Sequence, residues 1–328
     1  MKQYEHLGIL FSEHLRKFNG ELHSLSPAEL YQPCSYILSL GGKRLRPLLA
    51  LVACDLFDRD PTLALNSALS VELFHNFSLI HDDILDEAPL RRNQPTVHMK
   101  WNRNIAILSG DALLVKSLQV LHSYPKEEAG QLGTLMCTTA MEVCQGQQMD
   151  MNFETQNAVS IEEYLQMIRY KTAVLLGCSL QMGAINAQTD SEQQHHLYDF
   201  GVNLGIAFQL VDDLLDAFAP NVEIFGKRPG GDILSNKKTL LLLKAIDLAN
   251  ASQKKEISSL LQMPPEQGDE KIKRMLEIYS ALNIKTICES TADVFTSKAL
   301  ASLEKVRAVP SKKKQLQYFA TGLLKREV

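Results

Sequence analysis

Two short acidic motifs with the same spacing stand out in the sequence, HDDILD at 81–86 and VDDLLD at 211–216. Each motif ends a long segment whose apolar residues recur at helical spacing. Residues four apart lie on one face of a helix, so the first and last aspartates of each motif point the same way and the middle one lies beside them. Three carboxylates at the C-terminal end of a helix repel one another and oppose the helix dipole. The pattern therefore predicts a cationic partner.

Magnesium fits this pattern, because it binds one or two carboxylates and leaves its other positions to water and phosphate. Solvated acidic helix ends are the alternative, and for a single DDxxD motif they would be the better interpretation. Two copies inside apolar segments favour a metal site. His75, seven positions before Asp82, and Gln209, three before Asp212, fall on the carboxylate-bearing faces and indicate a polar-lined cavity.

Basic residues adjoin both acidic motifs. They occur in GGKRLRP at 41–47, Arg91-Arg92, Lys171, Lys227-Arg228 and Lys237-Lys238. Arginine binds phosphate bidentately and lysine acts as a point charge, so cations beside both motifs indicate a metal-bridged polyphosphate. Neither GxxxxGK[ST] nor GxGxxG occurs, which disfavours nucleotide binding by those routes.

The elements that must position these residues are helical. Apolar residues recur at three- and four-residue spacing over five long segments, 64–86, 104–122, 129–151, 161–187 and 193–218. Strand alternation and NG or DG hairpin signals are absent. The pattern predicts a single all-α domain over residues 1–328. It also predicts a loosely attached C-terminal tail in which Lys312 to Lys314 form a solvated surface.

Composition narrows the function classes. The 34 Lys and Arg against 38 Asp and Glu give a formal net charge of −4, which does not favour a nucleic-acid binder. The six cysteines are scattered without CxxC, so we expect reduced, buried thiols. We find neither a signal peptide nor an apolar run of about 18 residues. These features predict a soluble cytoplasmic protein without a membrane span.

Taken together, the motifs resemble the trans-isoprenyl diphosphate synthases of the polyprenyl synthetase family. The resemblance runs from Gly41 to Thr239 and rests on GGKRLRP, ELFHNFSLIHDDILD, LRRNQPTVH, SGDALL, IRYKTAVLL, FQLVDDLLD and the GK…GD…KKT series. It implies a homodimer of helical bundles, each with a central cavity flanked by the two DDxxD helices. It also implies Mg²⁺-dependent head-to-tail joining of isopentenyl diphosphate to dimethylallyl, geranyl or farnesyl diphosphate.

The resemblance also implies roles for individual residues. Isopentenyl diphosphate would contact Lys43, Arg46, His75 and Arg92. Asp82 and Asp86 would hold two magnesium ions on the allylic diphosphate, with Asp83 completing the triad and Arg91 contacting that diphosphate. Asp212 would hold a third ion, supported by Asp213 and Asp216. The allylic substrate would be surrounded by Lys171, Thr172, Gln209, Lys227 and Lys237. Asn236 stands where the family usually has glycine, which leaves the local loop conformation open.

Product length depends on the floor of an apolar tunnel, which the family often builds four and five residues before the first aspartate. Those positions are Ser78 and Phe77. On an ideal helix Phe77 lies about 140° from Asp82 and Ser78 about 40° from it, so Phe77 could instead be core and Phe74 a deeper floor. We expect a C15 to C20 product. A longer-chain synthase, a terpene cyclase and a non-catalytic prenyl-diphosphate-binding subunit remain alternatives.

Overall fold

A computed structural model of the chain describes residues 2–219 and 229–324. The helices up to the second acidic motif are α1 (Glu5–His23), α2 (Ala28–Ser39), α3 (Leu45–Asp55), α4 (Leu65–Leu85), α5 (Val97–Lys100), α6 (Arg103–Gln119), α7 (Lys126–Thr155), α8 (Ile161–Ile168), α9 (Val174–Asn186) and α10 (Ser191–Phe218). Those that follow are α11 (Gly231–Leu234), α12 (Leu240–Leu248), α13 (Ala251–Leu261), α14 (Gly268–Ala281), α15 (Ile284–Glu304) and α16 (Pro310–Leu324). A π-helical turn, Arg169–Ala173, joins α8 to α9.

Helix boundaries follow local sequence signals. A capping box begins α8, where Ser160 accepts from the Glu163 amide and the Glu163 carboxylate accepts from the Ser160 amide. Asn102 caps α6 by accepting from the Ile105 amide at 2.9 Å. All five segments predicted from apolar spacing are helical in the structure.

One small hairpin interrupts the helices of the described residues. Strands β1 (Leu90–Arg91) and β2 (Gln94–Pro95) pair antiparallel. The two residues between them, Arg92 and Asn93, have φ of 53° and 62°. Two consecutive left-handed residues form the kind of tight turn that joins twisted strands, and asparagine tolerates this conformation. The turn follows the first acidic motif and orients its two arginines.

The chain divides into two compact units. The first comprises Met1–Thr139, Cys178–Tyr198 and Val306–Leu316. In this unit α3 is buried at every position from Pro47 to Cys54, as expected for a helix that is apolar on all sides. The first acidic motif and its neighbouring basic residues belong to this unit.

The second unit comprises Ala140–Gly177, Asp199–Lys305 and Gln317–Val328. Glycines on α10 allow close helix packing here, since a Cβ on Gly205 would lie 2.6 Å from the Ala173 Cα and one on Gly201 would lie 2.7 Å from the Gly177 Cα. This approach brings the second acidic motif's helix against the π-helical turn. The single-domain organisation stays a prediction.

The C-terminal segment differs from the sequence-based expectation of a loose tail. It forms α16, in which Leu316, Phe319 and Ala320 are buried. The Lys312 Nζ lies 2.9 Å from carboxylate oxygens of both Asp55 and Asp58. The prediction of a loosely attached, merely solvated tail is therefore wrong for the residues up to Leu324.

One further expectation needs correction, and another is not confirmed. None of the six cysteines is in a disulfide, but Cys137 and Cys144 are exposed rather than buried. Among the described residues, the segment Arg103–Ser123 is long and apolar enough by composition to cross a membrane. The expectation that no segment meets this criterion is not confirmed.

Candidate active site

The first acidic motif ends helix α4. Asp82 and Asp83 lie in its last turn and Asp86 is the C-cap residue, whose amide donates to the Asp82 carbonyl at 2.8 Å. The three carboxylates differ in exposure, since Asp82 is half-buried, Asp86 is exposed and Asp83 is only 1% exposed. The outer two aspartates thus lie nearer solvent than the middle one.

A guanidinium from the hairpin compensates the buried carboxylate. The Arg91 Nε lies 2.9 and 2.8 Å from the two Asp83 carboxylate oxygens, and its Nη2 lies 2.7 Å from Oδ1. Such a bidentate, charge-assisted pair is strong and directional. From the sequence we expect Arg91 on the substrate diphosphate, whereas in the structure its donors are directed at Asp83.

The GGKRLRP segment forms a basic turn beside α4. Gly42 has φ of 135°, a conformation that favours glycine, and a Cβ there would lie 2.8 Å from the Arg92 guanidinium carbon, so a side chain at this position would displace the arginine. Arg92 donates to the Leu40 carbonyl at 3.3 Å and also to Gly41. The turn and the hairpin are held together by this side chain.

Helix α4 supports the same turn with a buried carboxylate. Glu72, 2% exposed, forms an ion pair with Arg44 and accepts from the Asn76 amide nitrogen at 2.8 Å. Arg44 also donates to the Leu38 carbonyl at 2.6 Å. Neither Glu72 nor Asn76 stands out in the sequence, because each lies in an apolar stretch and its partner's identity depends on the fold.

His75 is surrounded by cations. Its Nε2 lies 3.3 Å from the Arg46 Nη1. Burial, followed by the nearby arginines 46, 92, 91 and 44, lowers the pKa of His75 well below its ordinary value. The imidazole is therefore neutral near pH 7. Lys43, on the same turn, is exposed.

The second acidic motif lies in the last two turns of α10. Asp212 is half-buried, whereas Asp213 and Asp216 are 4% and 1% exposed. The Tyr164 hydroxyl donates to Asp213 Oδ2 at 2.6 Å and the Gln209 side chain donates to Oδ1 at 2.9 Å. Burial raises the pKa of Asp213, while Lys237 and these two donors oppose that rise.

Two predicted substrate residues come from the π-helical turn. The Thr172 hydroxyl donates to the side-chain oxygen Oε1 of Gln209 at 3.1 Å. This hydrogen bond extends the network that begins at Asp213. The Lys171 Nζ lies 2.5 Å from an Asp150 carboxylate oxygen. Tyr164 and Asp150 could not be found from the sequence, because a tyrosine on the buried face of a helix and a single helical aspartate look like ordinary core and surface residues.

Helix α11 is attached to the end of the second motif. The Asp232 amide donates to Asp216 Oδ2 at 2.9 Å, and the Gly230 amide donates to the Asp216 carbonyl at 2.6 Å.

Lys237 lies close to several carboxylates, and its Nζ is 3.7 Å from Asp232 Oδ1. Burial favours a lower pKa for Lys237, but the carboxylates of Asp213, Asp232, Asp150 and Asp216 raise it overall. A small polar cavity is lined by Asp213, Asp216, Asp232 and Lys237. Lys227 lies outside the described residues.

The proposed tunnel-floor residues form an aromatic stack along α4. The ring centroids of Phe74 and Phe77 are 5.4 Å apart, and those of Phe77 and His81 are 4.7 Å apart. Both phenylalanines are buried, while half-buried Ser78 donates to the His75 carbonyl at 2.9 Å. A Cβ on Gly110 of α6 would meet the His81 ring, so a residue of the SGDALL segment makes space for this stack.

Comparison with known proteins establishes the family. The sequence pattern of the polyprenyl synthetase family matches residues 27–279. Geranylgeranyl diphosphate synthase of Saccharolobus solfataricus is 34% identical over 98% of both chains. Geranylfarnesyl diphosphate synthase of Natronomonas pharaonis is 39% identical over 67% of this chain and 70% of its own. A crystal structure of a geranylgeranyl pyrophosphate synthase matches with a TM-score of 0.93 and 44% identity, covering 100% of both chains.

The chain belongs to the polyprenyl synthetase family. The predicted family, the all-α fold class and the assignment of the chain as a prenyltransferase are confirmed.

Proposed function

We propose that the protein catalyses Mg²⁺-dependent head-to-tail condensation of isopentenyl diphosphate with an allylic diphosphate, giving an all-trans C15 to C20 prenyl diphosphate and diphosphate. The observation that carries this proposal is the grouping of Arg46 and Arg92 around a neutral His75, on the helix that ends in Asp82 and Asp86. Concentrated cations next to outward carboxylates suit a metal-bridged polyphosphate.

The isopentenyl diphosphate side uses the basic turn. Arg46 and Arg92 supply bidentate donors and Lys43 a mobile point charge for its diphosphate. His75 adds no positive charge at neutral pH, and its ring orients Arg46 through their 3.3 Å contact. Arg91 acts on the allylic diphosphate less by direct contact than by holding the Asp83 carboxylate in place, since its donors already pair with that carboxylate.

The allylic diphosphate side uses Lys171, Thr172, Gln209 and Lys237, together with Lys227 outside the described residues. Thr172 and Gln209 are already hydrogen-bonded to each other at 3.1 Å. The raised pKa of Lys237 keeps it protonated at working pH. A fixed cation beside the leaving group lowers the barrier most when it need not reorganise during the reaction.

Magnesium fits the oxygen donors of the two motifs. Asp82 and Asp86 lie one turn apart at the end of α4, and both are accessible to solvent. Within residues 2–219 and 229–324, no three His, Cys, Asp or Glu side chains converge as a preformed cage. Two solvent-accessible carboxylates one turn apart suit a cation that keeps water and phosphate ligands. We propose that Asp82 and Asp86 hold two ions and Asp212 a third.

The reaction breaks the allylic carbon–oxygen bond, and the electron pair leaves with the diphosphate. When bound, magnesium neutralises the charge that develops on this leaving group. The double bond of isopentenyl diphosphate attacks the allylic cation, and a proton is then lost to the released diphosphate. Arg46 and Lys237 hold the two substrates and need not exchange protons, so no side-chain base is required.

Phe77 and Phe74 are proposed to limit product length. Their stack is buried on the helix that carries the first motif, and a bulky residue in such a position blocks an elongating apolar chain. Phe77→Ala should lengthen the product by one or more five-carbon units in mass spectra, and Ser78→Ala, which removes only a contact to the His75 backbone, should not. Identical product lengths in both variants would remove Phe77 from this role.

We further propose a homodimer in the cytoplasm, formed by a single domain per chain. The support is the apolar surface of α6, where Leu108 and Val115 are 59% and 64% exposed and lie two turns apart. A second copy would cover this face. Leu108→Glu with Val115→Glu should shift sedimentation from dimer to monomer, whereas an unchanged sedimentation coefficient would exclude this interface.

The direct test incubates purified protein with Mg²⁺, labelled isopentenyl diphosphate and each of the dimethylallyl, geranyl and farnesyl primers. We expect extended prenyl diphosphates ending at C15 or C20, and none after chelation. Cyclic hydrocarbon products would support a terpene cyclase. Binding without turnover would support a non-catalytic subunit, and products beyond C25 a longer-chain synthase.

A further inference from the structure

Asn236 immediately precedes Lys237 and adopts a left-handed backbone conformation, with φ of 57°. Its amide donates to the Ile233 carbonyl at 3.2 Å, which closes the turn after α11. Asparagine tolerates this conformation, so the turn does not require the glycine usual in the family. The substitution instead provides a side chain at this turn.

The Asn236 side chain bridges two further helices. Its Nδ2 donates at 3.0 Å to the carbonyl of Leu261, the last residue of α13, where helix carbonyls lack intrahelical partners. Its Oδ1 accepts from the Lys271 Nζ of α14 at 2.6 Å. The same ammonium donates to the Leu234 carbonyl at 3.1 Å. One amide side chain thus ties the turn to both α13 and α14.

Lys271 is an unusual residue for its location. It is 3% exposed, and no carboxylate of the described residues forms an ion pair with it; its two acceptors are neutral oxygens. Burying an ammonium without a carboxylate is costly, and that burial also lowers the pKa of Lys271. A leucine or methionine would fill the same space without this cost. The presence of lysine therefore indicates that its contact with Asn236 has a role.

The turn is connected to the second acidic motif through Asp232. The Lys237 amide donates to the Asp232 carbonyl at 2.9 Å, and its Nζ lies 3.7 Å from the Asp232 carboxylate. Asp232 in turn donates its amide to Asp216. A displacement at Asn236 would therefore be transmitted to the Lys237 ammonium through one peptide unit.

We propose that Asn236 and Lys271 form a positioning pair that fixes the Lys237 ammonium for the allylic diphosphate. This assignment rests on the proposed function. Neither residue touches the substrate; each acts through the backbone of residues 234–237. Asn236 adopts the left-handed conformation that a glycine would otherwise provide. Its side chain in addition connects the turn to α13 and α14 through hydrogen bonds.

Two variants test the pair in the full-length enzyme. Asn236→Gly keeps the left-handed turn and removes the tie, and Lys271→Met removes the ammonium while filling its space. Each should raise the KM for the allylic primer about 10-fold and change the KM for isopentenyl diphosphate less than twofold. The double variant should show less than the sum of the two single effects, because the contact between Asn236 and Lys271 is lost in all three. Lys273→Met, an exposed lysine on the same helix, is the control.

Hydrogen exchange provides a readout that does not depend on turnover. Without substrate, the amides of residues 231–237 should exchange faster in both variants than in the wild type and the control. Equal rises in the two KM values, additive effects, or unchanged exchange of this segment would overturn the positioning role. If the wild type shows no condensation, the proposed function fails, while faster exchange would still establish the structural tie.

Discussion

The two acidic motifs share their spacing but hold their middle aspartates in different ways. Asp83 is paired with the charged guanidinium of Arg91, whereas Asp213 accepts from two neutral donors, Tyr164 and Gln209. Burial raises the pKa of Asp213, and the nearby Lys237 ammonium together with these two hydrogen bonds opposes that rise only in part. Two motifs with the same aspartate spacing thus acquire different electrostatic surroundings from the residues that pack against them.

The last aspartates differ as well. Asp86 is exposed at the end of α4, whereas Asp216 is 1% exposed and accepts from the Asp232 amide. Two outer carboxylates of the first motif remain near solvent, but in the second motif this holds only for Asp212. This difference supports the proposed division of two magnesium ions on the first motif and one on the second.

The largest expected effect comes from removing an outer carboxylate. Asp82→Ala and Asp212→Ala should each lower kcat about 1,000-fold, because the leaving diphosphate then lacks a correctly placed cation. The measurement is the initial rate of prenyl diphosphate formation. Asp293→Ala, an exposed aspartate on α15, serves as the control and should retain full activity. A loss confined to one motif would mean that the other does not take part.

Removing the partner of the middle aspartate should lower the free energy of unfolding by different amounts at the two motifs. Arg91→Met leaves Asp83 charged and buried without its cation, so the free energy of unfolding should fall by about 3–5 kcal/mol. Tyr164→Phe removes one neutral donor from Asp213 and should cost about 1–2 kcal/mol. Urea denaturation followed by circular dichroism measures both. Equal losses would contradict the electrostatic distinction between the motifs.

The smallest effect concerns pH. The pKa of His75 is lowered in the folded protein from about 6.5 in the unfolded chain, so below that pH the unfolded state binds more protons and stability falls. Asp213 has the opposite sign, since its raised pKa makes the folded state bind more protons at acidic pH. As the pH is lowered from 7.5 to 5.5, the Tm of the His75→Gln variant should therefore fall less than the Tm of the wild type. Parallel Tm curves would exclude His75 as the cause.

Local periodicity predicted the helices well. The apolar spacing over 193–218 corresponds to α10, Ser191–Phe218, and that over 64–86 to α4, Leu65–Leu85. Both acidic motifs were expected at helix ends and are found there. Such features depend on neighbours three or four positions away, which a single sequence contains.

Partners distant in sequence could not be predicted. Tyr164 and Asp213 are 49 positions apart, and Asn236 and Lys271 are 35 apart. The basic run at Lys312 looked like a solvated surface because its acceptors, Asp55 and Asp58, lie some 250 positions earlier. Arg91 was assigned to the allylic diphosphate from the family resemblance, and its pairing with Asp83 emerged only from the folded structure.

We propose that Mg²⁺ held by the carboxylates of each motif strengthens the binding of the allylic diphosphate. Titration calorimetry with Mg²⁺ and a non-ionising thio-analogue of farnesyl diphosphate tests it most directly, with the wild type, Asp82→Ala and Asp212→Ala compared. We expect Mg²⁺ to strengthen analogue binding in the wild type and each substitution to abolish most of that strengthening. Equal binding of the analogue with and without Mg²⁺, or full strengthening in either variant, would contradict the account.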